Sequence, residues 1–321
     1  MKVPKNYVTD EKAEYHAEIL ANRLKNRYRH LARRFRRANI DVFRLYDRDI
    51  PEVRAVVDWY QGHLVIGEYI RLQTGPKWLP RMAQAAGEAL NVPREKIFLK
   101  RRQTQSKAGP RYRPTKSIGT RFVVCERDLK FWVNLSGSLD TGLFSDHRET
   151  RVLLRKMAKG ADFLNLYSYT GSFSCAAALG GARSIMTVDR SATYIQWAKD
   201  NFKLNHIKNP AYTFVQSDTE KYIEVLQKRK RKFTLAFVDP PSFSQRLGKT
   251  SFDINRHHPE LLEKIFTVMD KGSTVIFSVN HQRFDPKFNK LKVKQIKELT
   301  PKTIPEDYGN KLVHRCWQMD L

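Results

Sequence analysis

The chain has 321 residues, 41% of them hydrophobic, which is enough for two folded domains that each bury a core. Lys and Arg number 59 against 33 Asp and Glu, so the net charge is +26 and a polyanion, by default nucleic acid, is the expected partner. The composition excludes a membrane-spanning protein, because no apolar run approaches the ~20 residues that a transmembrane helix needs. The amino terminus lacks the hydrophobic region of a signal peptide, which predicts a cytoplasmic protein with no membrane partner.

The cysteines are Cys125, Cys175 and Cys316, which lie far apart in the sequence and form no C-x-x-C pair. This spacing is typical of reduced thiols and gives no sign of a disulfide framework. We therefore predict that the protein has no structural disulfide and no metal site.

A basic helix is predicted over residues 18–38, which read EILANRLKNRYRHLARRFRRA. Its apolar residues partly follow helical spacing, and basic residues fill most of the other positions. Four arginines crowd into five positions, where like charges repel and have little structural use: Arg33, Arg34, Arg36 and Arg37. We predict that this cluster binds RNA; the alternative is a solvated basic face without a partner.

The chain is predicted to divide into three parts. Residues 1–39 form a helical extension, residues 40–135 a small α+β domain that faces RNA, and residues 136–321 the main α/β domain. The small domain is expected to contain strands within 41–72, a hairpin turn at Gln61-Gly62, a helix over 77–91, a strand in EKIFLKRR and a last hairpin that turns at Arg127-Asp128. Residues 1–135 carry 29 basic and 14 acidic residues, so most of the excess charge lies in these first two parts.

A basic loop is predicted within the small domain, over residues 103–120. This stretch is rich in Gly, Pro, Ser and Thr, which predicts an irregular segment. Its cationic side chains are predicted to contact RNA phosphates and are Lys107, Arg111, Arg113 and Lys116.

From about residue 161 the sequence alternates between short apolar runs and helical segments. The predicted strands are 163–167, 184–188, 211–216, 233–238, 273–279, 293–299 and 312–320. The predicted helices are 172–180, 191–205, 218–230 and 258–270. Short alternation of this kind predicts a Rossmann-like, doubly wound sheet of seven strands.

The stretch that follows the first of these strands reads LYSYTGSFS and has hydroxyl groups where a dinucleotide-binding loop would have three glycines. Asp189 lies 18 residues after Gly171, the spacing at which a carboxylate accepts ribose hydroxyls, and Asp218 and Asp239 follow the next strands. Each acid alone could equally cap a helix. Together they favour an adenosine ligand without a phosphate, which S-adenosylmethionine provides.

The block LNLYSYTGSFSCAAALGGARSIMTVDRSATYIQWAKDNFKLN resembles the cofactor-binding motifs of class I S-adenosylmethionine-dependent methyltransferases. More narrowly, NRLKN, VFRLYDRDIPE, WVNLSGSLDTGLFSDHRETR, FVDPPSFS and LVHRCW resemble the bacterial RlmK family of 23S rRNA guanine-N7 methyltransferases. The cofactor-binding residues expected on the two grounds together are Phe144, Asp146, Arg148, Ser168, Tyr169, Thr170, Gly171, Asp189, Arg190, Asp218 and Asp239.

The resemblance also implies roles for single residues and for partners. In DTGLFSDHRETR it implies that Phe144, Asp146 and Arg148 close over the cofactor, with Arg148 against the methionine carboxylate. The alternative is that Asp146 caps a helix that carries Arg148 and Arg151. The implied substrate is 23S rRNA or a large-subunit precursor. Members of this family are often fused to a guanine-N2 methyltransferase, which would here be a separate partner.

The segment DPPSF is predicted to hold the base that is methylated, through Asp239, Pro240, Pro241 and Phe243. The prolines stiffen the loop, and the Phe243 ring could stack on a base; the alternative is a rigid turn with a buried Phe. Carbon-5 methylation needs a cysteine nucleophile, and neither DPPSFS nor FSVNHQRF contains one. Guanine N7 has a free lone pair and no proton to lose, so alignment with the cofactor methyl suffices.

These observations predict a methyltransferase that forms 7-methylguanosine in 23S rRNA by direct transfer, without a covalent intermediate. Two alternatives remain open at this point. One is the same fold acting on another RNA base position, and the other is a non-catalytic RNA-binding factor in ribosome assembly.

Overall fold

The computed structural model describes residues 8–69, 74–102, 121–137, 140–244, 251–281 and 283–321. The chain divides into two compact units. Unit 1 comprises Met1–Thr141 and Glu306–Asn310, and unit 2 comprises Gly142–Pro305 and Lys311–Leu321. Among the described residues, we find no helix whose length and apolar character would let it span a bilayer.

Unit 1 is built from two helices, a four-stranded sheet and a hairpin. Its elements are α1 (Asp10–Arg37), β1 (Val42–Asp47), β2 (Ala55–Tyr60), β3 (His63–Tyr69), α2 (Trp78–Leu90), β4 (Ile97–Arg102), β5 (Arg121–Glu126) and β6 (Leu129–Asn134). The sheet has the order β1-β2-β3-β4, and β5 pairs with β6. Gln61 and Gly62 have φ of 45° and 87°, as a tight two-residue hairpin requires, and Arg127 has φ of 60° in the second hairpin.

Helix α1 is part of the core of unit 1. It begins at Asp10, eight residues before the predicted start, because the Thr9 side chain caps it by accepting a hydrogen bond from the Lys12 amide. Leu24 and Leu31 on its apolar face belong to the same hydrophobic cluster as residues of α2 and the sheet. Residues 1–39 are predicted to be an extension separate from residues 40–135, but in the structure one apolar core contains residues of both segments.

The short segment Glu306–Asn310 completes unit 1 from far along the chain. Asp307 is buried, and its carboxylate accepts a hydrogen bond from the Arg44 amide at 2.8 Å, while its carbonyl accepts one from the Arg27 guanidinium at 3.1 Å. The Arg44 guanidinium lies 4.5 Å from the ring of Tyr308 and pairs with Asp58. Unit 1 therefore includes residues up to Thr141 and this return of the chain, in addition to the residues before the predicted boundary at 135.

Unit 2 is a three-layer α/β structure around one sheet. Its elements are α3 (Arg148–Met157), β7 (Asp162–Leu166), α4 (Ser172–Leu179), β8 (Ser184–Asp189), α5 (Ala192–Leu204), β9 (Tyr212–Gln216), α6 (Thr219–Lys228), β10 (Phe233–Val238), β11 (Phe243–Ser244), β12 (Phe252–Asp253), α7 (Ile254–Phe266), β13 (Met269–Val279), β14 (Gln295–Glu298), α8 (Thr300–Thr303) and β15 (Arg315–Asp320). All seven predicted strands are present in the sheet, in the order β14-β15-β13-β10-β7-β8-β9.

The sheet confirms the predicted fold class. The strands β13, β10, β7, β8 and β9 are parallel, and β15 runs antiparallel between β13 and β14. The helix predicted over 258–270 begins earlier, at Ile254, because the Asp253 side chain caps it at the Asn255 amide. The last two strands are shorter than predicted, since their outer ends lie beyond the ladder with their neighbours.

Candidate functional site

Three strands of unit 2 end in one row. Leu166, at the end of β7, pairs with Val188 of β8 on one side and with Val238 of β10 on the other. Strand order also reverses at β7, because the chain runs outward through β8 and β9 and then crosses to β10 on the opposite side. Ligands of open α/β sheets bind at such a reversal, beyond the carboxyl ends of the strands. The loop after Leu166, Asp189 and Asp239 therefore meet at the expected edge.

The loop after β7 is held in an unusual backbone conformation by Asp189. Tyr167, Tyr169 and Gly171 have φ of 55°, 49° and 73°. The Asp189 carboxylate accepts hydrogen bonds from the Tyr169 amide at 2.9 Å and from the Ser191 amide at 2.8 Å. Burial raises the pKa of Asp189, and the hydrogen bonds from Ser191 and Tyr169 act in the opposite direction. One carboxylate thus ties the loop to the end of the neighbouring strand.

Gly171 allows the loop to approach helix α5. A Cβ atom at this position would lie 2.7 Å from the Cβ of Ala198 and 3.3 Å from its Cα. The preceding residue, Thr170, is fully buried, and its hydroxyl donates to the Gly142 carbonyl at 2.7 Å. Asn201 of α5 donates to the Thr170 carbonyl at 2.9 Å. The hydroxyl residues and the glycine of this loop therefore serve close packing as well as any ligand.

The segment before β7 covers the loop. The ring of Phe144 lies 4.9 Å from that of Tyr169, and the Tyr169 hydroxyl accepts a hydrogen bond from the Gly142 amide at 2.8 Å. Arg151 is buried and donates to the Phe144 carbonyl at 3.0 Å. Arg148 is also buried, with its Nε 3.6 Å from the Glu149 carboxylate. Phe144 keeps 38% of its surface exposed, so it can contact a ligand.

Asp146 does not cap helix α3. The helix begins at Arg148, and His147 occupies the cap position without a side-chain hydrogen bond to the helix. The Asp146 carboxylate lies instead 3.1 Å from Nδ1 of His314. The capping alternative for Asp146 is therefore wrong, and its partner comes from the segment just before β15.

His147 and His314 are site residues that the sequence analysis did not assign. Their rings stack at 4.1 Å with an interplanar angle of 16°, and both are almost completely buried. Nε2 of His147 lies 3.5 Å from the Asp239 carboxylate. Both histidines stand in segments that carried the family resemblance, DTGLFSDHRETR and LVHRCW, which was the available signal.

Asp146, His147 and His314 have the spacing of a metal-binding group, since their ligand atoms lie within 4.8 Å of one another. The stacked rings do not fit this use, because an ion bound to both imidazoles would have to lie in both ring planes, which run nearly parallel. The nitrogens of His314 already lie 3.1 Å from Asp146 and 3.1 Å from the Thr303 hydroxyl. The group is therefore better described as a hydrogen-bonded network.

Asp218 and Arg190 occupy the outer part of the candidate site. Asp218 caps helix α6, and its Oδ1 accepts from the amides of Glu220 and Lys221 at 3.1 and 3.3 Å. The capping alternative for Asp218 is thus correct, and a contact with adenine would have to use the same carboxylate. Arg190 is exposed beside Asp189.

The segment DPPSF extends from the end of β10. Asp239 is partly exposed, Pro240 is buried and Pro241 is exposed. The Ser242 hydroxyl donates to the Asn280 carbonyl at 3.0 Å, which fixes the segment to the residue after β13. Phe243 is 50% exposed, and its ring lies 6.0 Å from that of His281 in an edge-to-face arrangement. The alternative of a buried Phe at this position is wrong, because half of the Phe243 surface is accessible to a planar ligand.

In unit 1 the four arginines of the α1 cluster are exposed. Arg34 is not free of structural use, because it pairs with Glu306 at 2.9 Å. Arg34, Arg36 and Arg37 also lie in the last turn of the helix, where positive charge interacts favourably with the helix dipole. The other predicted RNA contacts, Lys107, Arg111, Arg113 and Lys116, lie outside the described residues.

The residues at the carboxyl edge fit an adenosine with an amino-acid tail. Among the described residues, the buried Ser168 hydroxyl has no hydrogen-bond partner, so a polar ligand group there would satisfy it. Asp189 offers carboxylate oxygens for ribose hydroxyls, and the Phe144 ring offers an apolar cover. The loop presents hydroxyls and amides and has no glycine-rich phosphate cradle.

Comparison with known proteins agrees with this description. The model of the S-adenosylmethionine-dependent methyltransferase family matches residues 42–300. The chain is 38% identical over 305 residues to ribosomal RNA large subunit methyltransferase K of Neisseria meningitidis serogroup B, across 93% of this chain and 86% of that protein.

Two solved structures share the fold. One is a proposed methyltransferase in complex with SAH, with a TM-score of 0.76 and 19% identity. The other is a proposed SAM-dependent methyltransferase from Streptococcus mutans, with a TM-score of 0.76 and 18% identity. Each match covers 100% of this chain and 83% of the solved one.

Replacement of Gly171 by Ala is expected to destabilise the protein by roughly 1–3 kcal/mol, because the residue has positive φ and the added methyl would clash with Ala198. Thermal unfolding measures the loss. The double variant with Ala198→Gly removes the clash and keeps the backbone strain, so its loss should be smaller than the sum of the two single losses. Strictly additive losses would contradict the close approach of the loop to α5.

Proposed function

The chain belongs to the S-adenosylmethionine-dependent methyltransferase family, and we propose that it methylates large-subunit ribosomal RNA, forming 7-methylguanosine in 23S rRNA. The main support is one edge of the sheet in unit 2, at which the Asp189-fixed loop and the DPPSF segment follow adjacent strands. The close relative named for large-subunit rRNA methylation supports the substrate class.

We propose that the cofactor is held by the loop after β7 and by the segment that covers it. Asp189 accepts hydrogen bonds from the ribose, Ser168 and the loop amides bind the amino-acid tail, and Arg148 pairs with its carboxylate. Asp218 accepts from the adenine amino group, and Phe144 covers the ligand. The bound cofactor supplies an electrophilic methyl group on a sulfonium.

The target base is proposed to lie on the DPPSF segment. The exposed Phe243 ring stacks on the base, and Pro240 and Pro241 keep the segment rigid. Asp239 accepts from guanine N–H donors and stabilises the positive charge that the ring acquires on methylation. Because N7 has no proton to lose, the site needs alignment and electrostatics and no general base.

The cysteines support direct transfer to nitrogen. Cys175 and Cys316 are completely buried, and burial raises the pKa of both thiols. The charges of Asp239 and Glu298 raise the pKa of Cys316 further. A cysteine nucleophile requires an accessible thiol with a lowered pKa. These thiols have the opposite properties, which argues against the covalent mechanism of carbon-5 methylation.

The net charge of the chain, +26, supports an RNA substrate. Guanine N7 faces the deep, narrow major groove of A-form RNA, so the target guanine must be unpaired or turned out at a cost of a few kcal/mol. Phosphate contacts from exposed arginines of α1 offset this cost. We propose a separate guanine-N2 methyltransferase as the partner that acts on the same precursor.

The product can be identified directly. The purified protein, S-adenosylmethionine and either 23S rRNA or a large-subunit precursor particle should yield 7-methylguanosine on nucleoside mass spectrometry. The Asp239→Ala variant, prepared in parallel, should yield at least about 10-fold less, because the proposed base-positioning carboxylate is gone. Another methylated nucleoside would contradict the N7 assignment, and no methylated nucleoside with either RNA would contradict the RNA substrate.

Asp189→Ala should weaken S-adenosylmethionine binding about 10-fold or more, because a charge-assisted hydrogen bond contributes roughly 1.5–3 kcal/mol. Calorimetric titration measures the affinity. In the wild type, affinity should also fall as the pH drops through the raised pKa of Asp189, since protonation removes the acceptor for ribose hydroxyls. Asp189→Asn cannot titrate and serves as the control; an equal fall in that variant would assign the pH dependence to another group.

Replacement of Arg33, Arg36 and Arg37 by Gln should weaken rRNA binding and reduce the log–log salt slope by about two to three units. Arg34 is left unchanged because it pairs with Glu306. The control replaces three exposed basic side chains at the amino edge of the unit 2 sheet, opposite the carboxyl edge that carries the candidate site. They are Lys228, Arg229 and Lys230. Filter binding across a salt series should show the full slope for the control. An unchanged slope in the α1 variant would mean a merely solvated face.

A further inference from the structure

A buried pair of histidines connects the two halves of the candidate site. His147 ends the turn Ser145–His147 just before α3, and His314 immediately precedes β15. They are 3% and 1% exposed, and their rings stack at 4.1 Å. The proposed chemistry assigns no role to either residue, although burying a polar side chain is costly unless it has a partner.

The two histidines have different partners. Nδ1 of His314 lies 3.1 Å from the Asp146 carboxylate, so His314 serves the segment that covers the cofactor loop. Nδ1 of His147 lies 3.3 Å from the Thr150 hydroxyl. Nε2 of His147 lies between two carboxylates, 3.5 Å from Oδ2 of Asp239 and 3.9 Å from Oδ2 of Asp146. His147 is therefore the member of the pair that reaches the base-binding segment.

The electrostatic surroundings favour a positive charge on His147. Burial opposes the charged form of His147, but the nearby carboxylates of Asp146 and Asp239 outweigh it and raise the pKa of His147, while the charge of Arg151 acts the other way. Burial and the neighbouring His147 lower the pKa of His314. The surroundings thus favour the charged form of the ring that faces Asp239 and the neutral form of the ring behind it.

We propose that His147 is the positioning residue for Asp239. Its Nε2 holds Oδ2 of that carboxylate, which leaves Oδ1 to accept the N–H donors of the target base. The inference rests on the proposed function of Asp239. Without His147 the carboxylate could rotate about its side-chain bonds, and a small displacement at a reacting centre has a large effect on rate.

A purely structural role for His147 is the competing explanation. Its ring lies 5.6 Å from that of Phe173 and 6.0 Å from that of Phe237, in edge-to-face arrangements, so it also fills space in the core. Two substitutions separate the roles. His147→Phe keeps an aromatic ring and removes both nitrogens, whereas His147→Gln removes the ring and can return an N–H donor toward Asp239.

The kinetic test compares these variants on rRNA at saturating S-adenosylmethionine. His147→Phe should lower kcat roughly 10-fold to 100-fold, with the affinity for S-adenosylmethionine nearly unchanged, and His147→Gln should recover most of the loss. In an Asp239→Asn background, His147→Phe should cause no further loss, because the group it positions is already altered. Full activity of His147→Phe, or losses that multiply in the double variant, would overturn the proposal.

A second measurement does not depend on activity. In protein labelled with ¹⁵N-histidine, NMR titration reports the pKa of the His147 ring, identified by its absence from His147→Gln. Asp239→Asn should lower this pKa by removing the facing charge; an unchanged pKa would overturn the inference. A wild-type protein that leaves rRNA unmethylated would contradict the proposed function, while this titration would still support or contradict the contact by itself.

Discussion

The Asp189 carboxylate is the constraint on which the candidate site depends. It accepts hydrogen bonds from the amide of Tyr169 in one loop and from the amide of Ser191 in the next. Parallel strands leave their following loops independent of one another, and a carboxylate between them fixes their relative positions. The same group is the proposed ribose acceptor, so the feature that orders the loop is also the one that would recognise the ligand.

This constraint explains how tyrosines can replace the glycines of a dinucleotide-binding loop. A residue other than glycine at positive φ destabilises the folded state by roughly 1–3 kcal/mol. Such a conformation persists only where the surrounding contacts enforce it. Three contacts fix the conformation of Tyr169. Its amide donates a hydrogen bond to Asp189, its hydroxyl accepts one from the Gly142 amide, and its ring contacts that of Phe144. The bulky rings close the approach that a pyrophosphate would need, which suits a ligand that has none.

Local pattern was sufficient to predict the fold, because most strands of unit 2 are short apolar runs and helices α5, α6 and α7 each begin at a side chain that caps them. The positions of Asp189, Asp218 and Asp239 could also be predicted locally, because each lies just after an apolar run. The contacts of Asp146 could not, since its partner His314 is 168 residues away and pairing at that separation leaves no period in the sequence. Likewise, the buried residues at the start of α1 are small, such as Ala13 and Ala17, and they form no apolar run. The predicted helix therefore begins too late. The contact between His147 and Asp239 is a long-range feature of the same kind.

The return of Glu306–Asn310 into unit 1 has a consequence for biosynthesis. The Asp307 carboxylate accepts a hydrogen bond from the partly buried Arg44 amide of β1, so this amide lacks its partner until a residue more than 260 positions later has been made. During translation unit 1 cannot complete its hydrogen bonds until the segment Glu306–Asn310 has left the ribosome. Helix α1 and the first strands are therefore made while unit 1 still lacks one of its segments. The segment Glu306–Asn310, and not the amino-terminal sequence alone, therefore determines when unit 1 becomes complete.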